Sequence, residues 1–385
     1  MTTIAVVGTG FIGPVHAEAL GRLALPVRGI LGSSPEKSEQ AAQRLGLDVA
    51  YPHFDAILDD DAVDAVHIAT PNRTHYDMAR RALLADKHVV CEKPLAMNTE
   101  ETAELLRIAR ERPHLISAVN YNIRFYPMVL HAHELVQSGA LGEIYHVRGA
   151  YVQDWLLYES DWNWRLVPEE GGDLRAIGDI GTHWMDLVRF VTGLEVDSLL
   201  ADLHTFVSPR RKPRQAVATF EGKKQAGPTE YDEVEIKTDD YGAVLFHYAG
   251  GARGTMNVSQ VNAGRKNQLS VEVAGAKAAL AWDSERPNEL WLGHRDRPNE
   301  VLIKDPALLE GAALDHTDYP GGHNEGFPDT FKQLYRAIYG YLEGEDFDKP
   351  KPFPTFEDGH HEVLLSEKIL QSHREKRWIA VNHAS

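Results

Sequence analysis

The sequence predicts an α/β fold, with a doubly wound parallel sheet over residues 1–122 and a second α/β domain over 123–385 built on an open, mostly antiparallel sheet. Three observations predict it. A short apolar strand at the start runs straight into Gly8-x-Gly10-x-x-Gly13 and then into a helical run. Apolar strands and helical segments then alternate for about a hundred residues. Beyond them, runs of period-two alternation separated by turn residues take over.

The first strand, Ile4 to Val7, ends on glycines that let backbone approach backbone without a side-chain clash. The helix that follows carries His16, Ala19, Leu20 and Leu23 on one face and aims unpaired N–H groups and its positive end at an anion. A dinucleotide pyrophosphate is the ligand such a turn cradles, and Gly8, Gly10, Phe11, Ile12 and Gly13 form the cradle. A bare glycine motif is weak, because a tight turn with no ligand looks the same; its place inside one βαβ unit strengthens it.

Strands are expected at 3–7, 27–31, 63–69, 87–91 and 115–119, with helices near 14–23, 35–45, 54–58, 74–85 and 99–111. Ligands of such sheets sit outside the carboxyl ends of the strands. That places Thr70, Pro71, Asn72 and His75 after the third strand, Glu92 and Lys93 after the fourth, and Asn122 and Arg124 after the fifth in contact range of a cofactor or substrate. The second strand ends in Gly32-Ser33-Ser34-Pro-Glu-Lys37, without the acid that would bind the ribose 2′-hydroxyl of NAD. Ser33, Ser34 and Lys37 suit a 2′-phosphate, so NADP is favoured over NAD, although Ser-x-x-Glu is also a helix-capping pattern and Glu36 stands close by.

In the second domain, strands are expected at 143–152, 196–207, 230–237, 242–249, 252–261, 267–274, 277–283 and 288–293, with helices at 127–138, 179–193, 326–343 and 357–375. Phe206 to Gly227, with its basic Pro209-Arg-Arg-Lys-Pro-Arg214, reads as a long loop, either an exposed excursion or an oligomer contact. A large open sheet with one face bare of helices is normally buried against another subunit, which predicts a homodimer or homotetramer.

With 40 basic and 57 acidic residues the formal charge is −17, which argues against nucleic acid or an anionic membrane as partner. No apolar run is long enough to span a bilayer and no signal peptide is apparent, so a cytoplasmic protein is expected. The single cysteine, Cys91, excludes internal disulfides and reads as a buried strand residue. None of the 19 histidines forms a zinc-ligand pattern; His131-x-His133 and His360-His361 read as surface imidazoles.

Gly8-x-Gly-x-x-Gly13, Ala69-Thr-Pro-Asn-x-x-His75, Cys91-Glu-Lys-Pro94 and Gly178-Asp-Ile-Gly-Thr-His183 fall in an order and spacing that resemble the Gfo/Idh/MocA oxidoreductases over essentially the whole chain. The resemblance implies an N-terminal Rossmann domain, a cis peptide before Pro94, and hydride transfer between a nicotinamide and a hydroxyl-bearing carbon of a sugar or cyclitol. Lys93 then corresponds to the residue that orients substrate and stabilises alkoxide, His183 to the general acid/base, and Asp179 to a substrate-binding support for His183. Those residue types suit the chemistry on their own account: an imidazole titrating near neutrality, a carboxylate four residues earlier, and a fixed cation. Singly, each has a plainer reading, as a helix cap, a core histidine or a solvated charge. Together on a dinucleotide fold they favour function.

The resemblance further implies Trp164 and Arg165 near the cofactor, and Arg124, Tyr151, Gln153, Asp154 and His323 near the substrate. Tyr151-Val-Gln-Asp-Trp155 looks most similar to the branch with levoglucosan and other glycoside dehydrogenases, where an NAD enzyme would carry an acid at Gly32. Aromatic faces with interleaved carboxylates and amides suit sugars, although the tryptophans could equally be core. The alternatives are a glycosidase or epimerase that retains NAD and acts by transient oxidation, and a dinucleotide-binding sensor without turnover. The presence of both Lys93 and His183 argues against the sensor.

Overall fold

The computed structural model describes residues 2–214 and 230–381, which cluster into two compact units. Unit 1 takes Met1–Asn122 together with Glu169–Gly172 and Pro328–Leu364, and unit 2 takes the rest.

Unit 1 is a parallel sheet of β1 (Ile4–Val7), β2 (Val27–Leu31), β3 (Val49–Tyr51), β4 (Ala65–Ile68), β5 (His88–Cys91) and β6 (Ser117–Val119). Their spatial order is β3-β2-β1-β4-β5-β6, so the winding reverses between β1 and β4, where such sheets bind ligands. The five expected strands are present; β2 spans its expected 27–31, and the other four are shorter than expected. Strand β3 is additional: three residues at a sheet edge carry too little periodicity to stand out. Helices α1 (Ile12–Arg22), α2 (Pro35–Leu45), α3 (Asp55–Leu58), α4 (His75–Leu84) and α5 (Thr99–Arg110) connect the strands. Asn98 caps α5 through Oδ1, which accepts from Glu101 N at 2.9 Å. Strand residues such as Val7, Val66, Ile68, Val89 and Cys91 are wholly buried in one core, and burial pushes the Cys91 thiol well up, which keeps it inert.

Part of unit 1 comes from far along the chain. The helix Phe327–Glu343, read from sequence as part of the second domain, places Phe331, Leu334, Tyr335, Ile338 and Tyr339 in the interior. Val119 N donates to Pro354 O at 3.1 Å, and Ala118 bridges Thr355. No sequence-local signal reveals such a return of the chain.

Unit 2 is built on nine strands in the order β16-β15-β14-β13-β7-β12-β11-β8-β17. They are β7 (Ile144–Val152), β8 (Val196–His204), β11 (Tyr241–Tyr248), β12 (Arg253–Ser259), β13 (Gln268–Gly275), β14 (Ala279–Asp283), β15 (Glu289–Gly293), β16 (Glu300–Ile303) and β17 (Ile379–Ala380). Only the β7–β12 pairing is parallel. A separate antiparallel pair joins β9 (Arg210–Pro213), inside the expected long loop, to β10 (Tyr231–Val234), inside the strand expected at 230–237; residues 215–229 lie outside the described residues. The remaining helices are α6 (Pro127–Gln137), α7 (Pro168–Gly171), α8 (Thr182–Thr192), α9 (Gly311–Asp315), α10 (Phe327–Glu343) and α11 (Phe356–Glu375).

Helix α8 covers one face of the large sheet. Trp184 Nε1 donates to Ser270 O at 3.0 Å, passing over Gly149, where a Cβ would lie 2.5 Å from that nitrogen. On the opposite face, strand register lines up one row: Leu245, Thr255, Arg148, Glu272, Ala281, Trp291 and Val301. Arg148 and Glu272 pair at 2.7 Å within it, and both end residues, Leu245 and Val301, are exposed.

Candidate cofactor and substrate sites

The glycine turn of unit 1 is built for a close ligand. Gly8 has φ +119°, and a Cβ there would fall 2.1 Å from Ala69 O; a Cβ on Gly13 would fall 1.8 Å from Gly8 O. Only glycine fits either position. Around Gly10, by contrast, a Cβ meets nothing within 4 Å, so that side of the turn is open toward the first N–H groups of α1. Phe11 and Ile12 lead into the helix, with Phe11 about half exposed. An open, donor-lined concavity at the switch point fits a pyrophosphate.

At the end of β2, Ser34 caps α2, its side chain accepting from Lys37 N at 3.4 Å, and Lys37 Nζ donates to Ser33 Oγ at 3.0 Å. The Gly32 N–H is taken by Ser38 Oγ at 2.8 Å. Thus the capping role and the exposed lysine–serine pair both occur.

The other strand ends interlock. His75 is wholly buried, its ring nitrogens 2.8 Å from Pro94 O and 2.9 Å from Thr70 O. Burial pushes it below its usual value, toward the neutral form, in which one contact is a donated bond. Expected as a cofactor contact, His75 instead ties the β4 loop to the Glu-Lys-Pro loop, having no surface left for a ligand. Asn72 Nδ2 donates to Gly171 O at 2.9 Å and Asn122 Nδ2 to Thr330 Oγ1 at 2.6 Å. The Lys93–Pro94 bond is cis, as the resemblance implies.

Behind Lys93 lies a buried chain that the sequence does not announce. Tyr339 OH is 2.7 Å from His67 Nε2, His67 Nδ1 is 3.0 Å from His16 Nδ1, and His16 Nε2 is 3.1 Å from Glu92 Oε1, which also accepts from Asn120. Between the two Nδ1 atoms one ring must donate and the other accept, so they cannot both be imidazolium. Burial and the neighbouring His16 hold His67 neutral. Burial alone would raise the Glu92 carboxyl, but His16, the Lys93 charge and Asn120 outweigh it and leave it below the usual range. His16 is therefore a wholly buried support for Glu92. Glu92, largely buried, holds Lys93 N through Oε2 at 3.3 Å.

Unit 2 carries a second set of residues. Asp179 lies in a π-helical turn, Ile177–Gly181, that runs directly into α8, where His183 sits in the first turn. The helix expected to begin at Asp179 thus starts wider and earlier; such π turns recur at functional sites. Arg165 Nε donates to Asp179 Oδ1 at 3.0 Å and Gln260 Nε2 to Oδ2 at 2.9 Å. The Arg165 guanidinium also lies over the Trp164 ring, 4.4 Å from its centre. The His183 and Tyr151 rings are 6.2 Å apart, and burial with the Asp179 charge raises the Tyr151 phenol, keeping it protonated.

Tyr151 OH and Gln153 Nε2 both donate to Asn267 Oδ1, at 2.9 and 2.6 Å, while Trp155 Nε1 donates to Gln153 Oε1 at 2.9 Å. Asp154 pairs with Lys266 and accepts from Gly264 N. These residues therefore gather in unit 2 with Asp179 and His183. Arg124 is differently engaged: it forks onto both oxygens of Asp186 and lies over Phe190, holding α8 itself. His323 is exposed in its loop, with Nδ1 3.3 Å from Gly321 O. Gln260, Asn267 and Lys266 are absent from the sequence reading, since each meets its partner across some 80 to 116 residues without a motif.

The fold and these two residue sets define a dinucleotide-binding oxidoreductase. Residues 2–121 match the GFO/IDH/MocA oxidoreductase family with an NAD-binding Rossmann fold, and residues 129–281 match the GFO/IDH/MocA C-terminal domain. The chain belongs to the GFO/IDH/MocA family. It is 29% identical to levoglucosan dehydrogenase from Pseudarthrobacter phenanthrenivorans, over 99% of this chain and 98% of that protein. A solved levoglucosan dehydrogenase in complex with NADH superposes with a TM-score of 0.88 at 26% identity, over the full length of both chains. An inositol dehydrogenase homolog from Azotobacter vinelandii, complexed with NAD+, superposes with a TM-score of 0.86 at 26% identity over 98% of this chain and 97% of that one. Among the described residues, no helix is long and apolar enough to cross a membrane and no group of three or more acidic, histidine or cysteine side chains could hold a metal.

Proposed function

We propose that the protein oxidises a ring hydroxyl of a sugar, anhydrosugar, glycoside or cyclitol. The observation that carries this reading is the doubly held Asp179 one helical turn before His183, on a chain whose glycine turn fits a dinucleotide. Bound NAD(P) supplies the hydride acceptor. In this reading His183 takes the hydroxyl proton, and Lys93 supplies positive charge to the developing alkoxide. Asp179, fixed at both oxygens, is oriented to accept a hydrogen bond from a substrate hydroxyl. Gln153, Asp154 and Trp155 offer the mix of polar and aromatic groups that sugars require, and the likeness to levoglucosan dehydrogenase supports that class.

Lys37 and Ser33 favour NADP over NAD in this reading, since no carboxylate stands at Gly32 to repel a 2′-phosphate. The relatives solved with NADH and NAD+ make NAD the alternative to test. A second copy of the chain is the natural cover for the open row from Leu245 to Val301, whose members from Thr255 through Trp291 to Val301 line a concavity of about 670 Å³. The cytoplasm, where nicotinamide dinucleotides are drawn upon, is the compartment this reading assigns. The test is cofactor reduction by the purified protein with sugars and cyclitols; turnover with one class confirms the activity, and sedimentation of the same preparation reads the assembly.

A further inference from the structure

We propose that Arg210 is a positioning residue for the substrate-facing loop, a role that rests on the dehydrogenase reading above. The sequence presents Arg210 as part of a basic surface excursion, yet its side chain is 0% exposed. Its guanidinium gathers the loop that follows β7. Nη1 donates to Tyr158 O at 2.8 Å and to Asp161 O at 3.3 Å, and Nη2 donates to Leu156 O at 2.8 Å and to Asp240 Oδ1 at 2.9 Å. Three carbonyls within six residues thus converge on one planar fork, immediately after Gln153, Asp154 and Trp155.

The anchor at the far side is equally fixed. Asp240 Oδ1 also takes Arg175 Nη2, while Oδ2 accepts from Phe206 N at 2.7 Å and Val207 N at 2.8 Å. Neighbouring Asp239 accepts from Arg175 N at 2.7 Å and from Ile177 N at 2.8 Å, the first residue of the π turn that carries Asp179. Gln260, which holds Asp179, donates its backbone N–H to Asp240 O at 3.0 Å and accepts from Leu156 N at 3.2 Å. One buried charge cluster therefore sets both the loop and the Asp179 turn in register.

Stability is a poor explanation for this cluster. Buried ion groups are often replaced by apolar packing at no loss, and the Arg210 Nε is itself buried without a hydrogen-bond partner. What an apolar residue cannot supply is a fork that fixes three carbonyl directions at once.

Arg210→Lys keeps the charge against Asp240 and loses the fork; Arg210→Gln serves if the lysine variant fails to fold, because Asp240 keeps Arg175. Hydrogen exchange of the full-length protein should quicken over residues 156–161 and stay unchanged over 4–119, while the sugar KM rises roughly tenfold with kcat within about threefold and dinucleotide binding intact. Arg214→Ala, just past the end of the same strand and paired with Asp232 at the surface, should alter neither. Unchanged exchange over 156–161 in a folded variant overturns the positioning role, and faster exchange with an unchanged KM overturns its link to substrate. If the wild type turns over no sugar or cyclitol, the dehydrogenase reading falls, while the exchange data still decide whether Arg210 positions the loop.

Discussion

Gln260 Nε2 holds Asp179 Oδ2 at 2.9 Å, from just past the end of β12, 81 residues further along the chain. With Arg165 on the other oxygen, the carboxylate has one orientation available in which it can meet a substrate hydroxyl. Gln260→Ala removes the bond to Asp179 Oδ2. The expected result is a sugar KM raised about tenfold with dinucleotide affinity unchanged, since a bond to a charged group contributes about 1.5–3 kcal/mol. Steady-state kinetics beside a direct cofactor titration checks it.

Lys93→Ala and His183→Ala should each leave dinucleotide binding intact and lower turnover by at least about a hundredfold. Near-wild-type rates in both would remove the roles assigned to them.

The glycine turn tolerates no side chain at two places. Gly13→Ala drives a methyl onto Gly8 O, 1.8 Å from the ideal Cβ, so the turn must open. Cofactor affinity should fall at least about a hundredfold, a loss of roughly 3 kcal/mol. Gly10→Ala, whose Cβ points into free space, should fold normally and weaken the cofactor alone. Thermal melts with and without dinucleotide separate the two.

Much of this was legible in advance for a physical reason. The glycine turn, the strand ends and the Asp179–His183 pair are local in sequence, so spacing alone exposes them. The Tyr339–His67–His16–Glu92 chain, the Gln260 and Asn267 supports and the burial of Arg210 depend on chain segments that meet only after folding. Strand alternation at 210–213 was masked by Arg, Lys and Pro, whose side chains read as loop although Arg210 and Pro213 are buried.

In the proposed reading, cofactor choice turns on one lysine. Lys37→Ala removes the cation beside Ser33 and should weaken NADPH binding about tenfold while leaving NADH nearly unchanged. Equal losses, or none, would assign the β2 end to capping alone.

Asp239 supplies a pH signature. Burial, set against bonds from Ile177 and Arg175, raises its carboxyl to about 6. A raised carboxyl opposes folding once ionised, so its penalty is absent below about pH 4 and grows to about 3 kcal/mol as pH rises past 6. Denaturant unfolding of wild type and Asp239→Asn should show the variant gaining on wild type across that interval. A gap that does not change with pH would contradict the assignment.

The central claim is hydride transfer from the hydroxyl-bearing carbon of a sugar or cyclitol, and the most direct test follows the absorbance of reduced nicotinamide with NAD or NADP across aldoses, inositols, anhydrosugars and aryl glycosides. Reduction by one class, lost in His183→Ala, is the predicted result. A folded protein that binds dinucleotide yet reduces it with none of them would contradict the account, and a dinucleotide carried through purification would then point to retained-cofactor chemistry instead.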